Sequence, residues 1–131
     1  MPISYSIDRA HRRLFTVAEG PVTFSDIMVH LEKERNDNGL PFMELIDATR
    51  ATAAFNAADV RRIVDQLRNL GRNNALGPTA ILTGDEVSYG MMRMLEMMVA
   101  DVCDVRPFRS RSKAEEWLNA IPVPRSPAQG G

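Results

Sequence analysis

One stretch constrains this chain more than any other. Met43, Leu45 and Ile46 belong to a short apolar run, Asp47, Thr49 and Arg50 follow as a polar segment, and Asn56, Asp59 and Val60 open an amphipathic repeat. The pattern reads as a buried strand over residues 42–46, a polar loop, and the capped start of a helix. A helix with one apolar stripe has to bury it against another layer, and a strand just before it makes that layer a sheet. In a parallel α/β sheet such a junction lies at the carboxyl ends of the strands, where ligands and partners dock.

The remaining segments fit around that unit. Ile3, Tyr5 and Ile7 alternate with Ser4, Ser6 and Asp8, the period of a half-buried strand. Residues 13–19 are rich in β-formers and make a hairpin with the first strand, stopped by Gly20 and Pro21. Thr23 caps a helix, with Asp26 in the capping-box position. Phe24, Ile27, Met28 and Leu31 share its inner face, while Glu32, Lys33, Glu34 and Arg35 fall outside it or end it. Asn38, Gly39 and Pro41 end it. In the second helix Asn56 is the cap, Asp59 its reciprocal partner, and Val60, Ile63, Val64, Leu67 and Leu70 the inner stripe up to Gly71.

Thr79–Thr83 is a fourth strand without alternation, as expected where helices cover both faces. A helix over 88–100, a strand over 102–108 with Pro107 at an edge or bulge, and a short helix capped by Ser112 follow. The order is ββαβαβαβα. It predicts a single α/β domain over residues 1–121, with a mixed five-stranded sheet whose first strand is antiparallel and whose last four are mainly parallel. Residues 122–131, with three prolines and two glycines, are expected to form a flexible tail.

Charge and composition exclude several classes. A net charge of -1 gives no field to gather nucleic acid or an anionic membrane. The basic residues are 14 Arg and 2 Lys, a bias that genome composition produces as readily as phosphate binding. Cys103 is the sole cysteine, so no internal disulfide forms, and a reducing cytoplasm is the expected compartment. Residues 1–6 lack the basic start and apolar core of a signal peptide, and no apolar run approaches the roughly 18–20 residues of a spanning helix.

Asp47, Thr49, Arg50, Thr52, Asn56, Asp59, Thr83 and Asp85 are expected at the carboxyl edge of the strands and form the candidate docking surface. Asp and Thr also end strands and cap helices through local hydrogen bonds, which is the plainer role for each. Asp47 as phosphoacceptor, with Thr83 as hydroxyl and Arg109 as cation, resembles response-regulator receivers. Two departures weaken it: only Glu19 stands for their Mg²⁺-holding acidic pair, and Arg106 and Arg109 replace their lysine. His11 and His30 read as isolated boundary residues without ligand spacing, so no metal or cofactor is expected. No phosphate loop or nucleophile elbow is present either, and an enzyme is not indicated.

The third helix is apolar on more than one face. Met91, Leu95, Met98 and Val102 can pack on the sheet, leaving Tyr89, Met94 and Met97 outward. An exposed methionine patch suits a protein contact, so Tyr89, Met91, Met94 and Met97 are the candidate interface of a homodimer or partner.

The hairpin, Leu45-Ile46-Asp47 ending a strand, the Tyr89-Gly90-Met91 helix and the terminal Phe108 with Ala114-Glu115-Glu116-Trp117-Leu118 together resemble the STAS/SEC14-like family of small bacterial proteins. The resemblance covers roughly residues 3 to 120 and implies the fold of anti-sigma-factor antagonists, in a family mostly of unknown function. It also implies a serine, phosphorylated in the better understood antagonists, at the start of the helix after the third strand. Here that stretch is Phe55-Asn56-Ala57-Ala58, without a hydroxyl, and Thr49 and Thr52 lie earlier. The expected function is a non-enzymatic interaction or regulatory module with an unidentified protein partner. The alternative, from the SEC14 side, is a carrier or sensor of a lipid or other small apolar ligand.

Overall fold

A computed structural model describes residues 2–122, so the tail expected over 122–131 lies, apart from Pro122, outside the described residues. The sheet contains β1 (Ile3–Asp8), β2 (Arg13–Thr23), β3 (Met43–Ala54), β4 (Thr79–Thr83) and β5 (Val105–Phe108), side by side in that order. β1 runs antiparallel to β2, and every later pairing is parallel. The helices are α1 (Phe24–Asn36), α2 (Ala57–Gly71), α3 (Glu86–Val99) and α4 (Arg111–Ala120). None of them is long and apolar enough to cross a membrane.

Strand order equal to sequence order has a consequence for the layers. Three successive right-handed crossovers that all step in one direction place their helices on one face of the sheet. α1, α2 and α3 accordingly share a core with Ile46, Ile81 and Val105, centred on Val60, Ile63, Val64, Leu95 and Val99. Each such side chain contributes about 1.5–3 kcal/mol on leaving water. The opposite face carries α4, whose Ala114 and Leu118 pack on Met43, Leu45, Ala80 and Leu82.

The helix starts form as their sequences dictate. Thr23 accepts from the Asp26 N–H while the Asp26 carboxylate accepts from the Thr23 N–H, and Asn56 and Asp59 repeat the arrangement at α2. Two other boundaries move. α3 begins at Glu86 because Asp85 caps it, accepting from the Ser88 N–H. α4 is capped by Ser110, with Ser112 inside its first turn. The fifth strand is also shorter than expected, because Val102 and Cys103 donate their N–H groups back to the Val99 carbonyl and still belong to the turn leaving α3.

The largest departure concerns β2 and β3. Gly20 and Pro21 do not stop β2, and residues 47–54 are strand rather than loop. Gly20 continues the chain at φ 71°, a left-handed conformation open to glycine. β1 pairs as far as Ile3–Ala18 and the Glu19 N–H still donates to the Pro2 carbonyl, so among the described residues this edge of β2 is open only beyond Glu19, where proline's missing N–H costs no ladder bond. Between the pairs Val17–Asp47 and Glu19–Arg50, two residues of β3 oppose one of β2, a β-bulge. The bulge presses on the next connection: a Cβ on Gly84 would lie 2.2 Å from the Thr49 carbonyl oxygen. β4 pairs with β3 only as far as Ala48–Thr83, so residues 19–23 and 50–54 continue past the sheet as a two-stranded parallel ribbon. One side of this ribbon is tied down through Val22 and Ala51, packed with Ile3 and Ile27.

Candidate functional site

The residues expected at the carboxyl edge are held mostly by local bonds. Asp47 accepts from the Thr49 hydroxyl at 2.6 Å and from the Thr49 N–H at 3.1 Å. The Thr49 hydroxyl, helped by the Thr49 N–H and the charges of Arg111 and Arg50, keeps its carboxyl below the ordinary value despite partial burial. Asp85 accepts from the Ser88 N–H and hydroxyl at 2.8 and 2.9 Å, which lowers its pKa. Asn56 and Asp59 cap α2. Arg50, Thr52 and Asn56 are exposed.

Thr83 is not on this surface. It is buried, its hydroxyl donates to the Phe108 carbonyl at 3.3 Å, and it faces the helices α1–α3. Asp47 is the register partner of Leu82, which packs under α4, so Asp47 and Thr83 lie on opposite faces of the sheet. The alternation of a strand thus separates the two groups that a phosphoacceptor arrangement would need together.

The methionine helix also divides differently. Val99 is its fully buried anchor beside Leu95, while Met91, Met92, Met94 and Met98 pack partly on the same core. Met94 is therefore not outward. Met97 is 71% exposed and Val87 72%, and Tyr89 is half-buried with the Arg109 guanidinium 5.9 Å from its ring centre. The exposed apolar surface is smaller than the composition suggests.

The most unusual chemistry lies where the sequence reading expected none. His30, Glu34 and Glu44 are 7%, 4% and 4% exposed, and with Thr16 they form a polar cluster between α1 and the sheet. Four residues separate His30 from Glu34, which places both on one helical face, and Glu44 interrupts an otherwise apolar strand. Those two signals mark the cluster in the sequence, although His30 and Glu34 lie off the apolar stripe of α1. His30 is neither a surface residue nor isolated, and Glu34 points inward.

His30 Nε2 lies 3.0 Å from Glu44 Oε2 and in contact with Glu34 Oε1. Glu44 Oε2 also accepts from the Thr16 hydroxyl at 2.5 Å. Glu34 Oε1 is buried without a hydrogen-bond partner among the described residues. One imidazole N–H thus serves two carboxylates and satisfies one of them. Burial works against a charged His30, yet its contacts with Glu34 and Glu44 outweigh burial and raise its pKa to about 10. Burial and the Glu44 charge push Glu34 up to about 8. The edge of the Tyr5 ring closes over His30, centroids 5.3 Å apart.

A cavity of about 170 Å³ adjoins this cluster between the sheet and α1–α3. His30, Glu34 and Glu44 line one part of it, and Thr52, Ala53 and Phe55 from the ribbon and its exit line another. Ile27, Ile63, Ile81 and Leu95 make most of the wall apolar.

Comparison with protein-family models and with curated proteins returns no match. Solved structures do match. An uncharacterized protein from the DUF3478 family with a SpoIIAA-like fold, from Shewanella loihica PV-4, is 19% identical and aligns over 88% of this chain and 93% of its own, TM-score 0.56. The anti-sigma factor antagonist SpoIIAA in its unphosphorylated form is 9% identical and aligns over 91% of this chain and 99% of its own, TM-score 0.55. These identities carry the architecture and no residue-level role. The chain has a SpoIIAA-like fold.

Proposed function

We propose that this protein is a non-enzymatic regulatory module that docks a protein partner on the ribbon of β2 and β3 and the start of α2. The observation that carries this reading is the ribbon itself. Among the described residues, residues 20–23 and 50–54 have lost β1 on one side and β4 on the other, leaving strand edges that a partner can pair with. Glu19, Arg50 and Thr52 are exposed along it, and it leads directly into the capped start of α2. The fold adds weight, since SpoIIAA, which shares it, is an anti-sigma factor antagonist. Asp47, Asp59 and Asp85 are engaged in caps and turns, which suits a recognition surface better than a reacting centre.

The test is a photo-crosslinking residue placed at Arg50 and, separately, at Ser6 on the far edge strand, in the full chain expressed in its host. A discrete adduct at position 50 and none at position 6 is the expected result. The same adducts at both positions, or none at position 50, contradict the docking surface.

The cavity favours a second reading, a sensor of a small apolar ligand. Its volume lies below the ~300–1,000 Å³ of common ligand sites, which limits the guest to a small molecule. A native mass spectrum of protein purified from its host tests this. A reproducible small-molecule adduct supports it, and a clean protein mass opposes it. Self-association belongs to the first reading, with Met97 on α3 as the contact.

A further inference from the structure

The cluster beneath the cavity has the composition of a metal centre. Imidazole nitrogen suits Zn²⁺, Fe²⁺ and Co²⁺, carboxylate oxygen suits Mn²⁺ and Zn²⁺, and a mixed set of one nitrogen and two oxygens selects first-row divalent cations over Ca²⁺. Nε2 of His30 and one carboxylate oxygen each from Glu34 and Glu44 lie within 4.8 Å of one another. Metal–ligand bonds of ~2.0–2.2 Å put donors at most about 4.4 Å apart, so small side-chain rotations bring all three onto one ion.

We propose that His30, Glu34 and Glu44 form a binding site for a first-row divalent cation of the Zn²⁺ or Mn²⁺ class, its remaining coordination positions facing the apolar cavity. Three observations carry it. Glu34 Oε1 is buried and aimed at a nitrogen whose single N–H is already given to Glu44, so it lacks the partner that a buried carboxylate oxygen requires. All three donor side chains are under a tenth exposed, so an ion held there would meet little competition from bulk water. The Thr16 hydroxyl donates to Glu44 and fixes its orientation, as outer hydrogen bonds do at metal centres. Donors come from α1 and β3, so an ion would clamp that helix to the sheet. This site stands apart from the docking surface, and either proposal can fail without the other.

The test uses the full chain, stripped with a chelator and titrated by calorimetry with Zn²⁺ alone and with Mn²⁺ alone. One equivalent of at least one cation is expected to bind, with Glu34→Gln and His30→Gln each weakening it at least ~100-fold and the exposed α4 variant Glu116→Gln leaving it unchanged. Binding of neither cation, or equal binding by Glu34→Gln, overturns the proposal. Should those variants fail to fold, the unmutated protein still decides the matter, because His11 and His30 are its only histidines. Zn²⁺ is expected to shift the imidazole nitrogen resonances of His30. A shift confined to His11, which pairs with Asp8 at the surface, overturns it.

Discussion

At the scale of single residues, burial decides what each reactive group does. Burial and the nearby charges of Asp104 and Asp101 push the Cys103 thiol up to about 11, from an ordinary value of 9.0. Two pKa units lower the thiolate fraction about 100-fold at pH 8, and the thiolate is the nucleophile. Iodoacetamide at pH 8 is therefore expected to label the native protein at least ~10-fold more slowly than the urea-unfolded chain, the scarcer thiolate being also the stronger nucleophile, and equal rates would show the thiol to be free. The caps are testable in the same way. Asn56→Ala removes the oxygen that accepts from the Asp59 N–H and is expected to cost about 1 kcal/mol by urea unfolding. The caps at Thr23 and Asn56 were legible because each bonds within four positions of itself, whereas at α4 two serines in one turn compete and Ser110 rather than Ser112 is the cap. The His30 cluster was half legible. Its helical pair stands in the sequence, but only the fold brings Thr16 and Glu44 to it.

At the scale of elements, what the sequence hides is pairing across distance. Residues 47–54 look like loop because Asp, Thr and Arg crowd the segment, yet they are strand because residues 19–23 run beside them. Neither half of the ribbon announces the other, and β pairing is settled by such neighbours rather than by propensity. The bulge makes a sharp prediction. Gly84→Ala drives a Cβ into the Thr49 carbonyl and is expected to destabilise the protein by about 1–3 kcal/mol, where an exposed turn would tolerate alanine. On α3 the two outward candidates now part. Met97→Glu should change stability by no more than ~0.5 kcal/mol, and under the self-association proposed above it should leave a monomer in light scattering. Met94→Glu, placed against the core, should lower the melting temperature.

At the scale of the molecule, alternation of strands and helices determined most of the architecture. Right-handed crossovers and a sheet in sequence order follow from ββαβαβαβα with little freedom left, and the antiparallel first strand follows from a short hairpin. The uneven layering, three helices on one face and α4 on the other, follows from the same rule once the strand order is known. Function was less legible, because one fold serves many surfaces and the sites are set by a few side chains and edges. The docking role proposed for the ribbon belongs to this scale, because the register of three strands creates its edges. Amide hydrogen exchange of the full chain, alone and with the protein captured at position 50, tests it most directly. Slowed exchange over residues 19–23 and 50–57, with α4 and β5 unchanged, is the predicted result. Protection confined to α4 and β5 would place the partner at the far edge of the sheet and contradict the docking proposal.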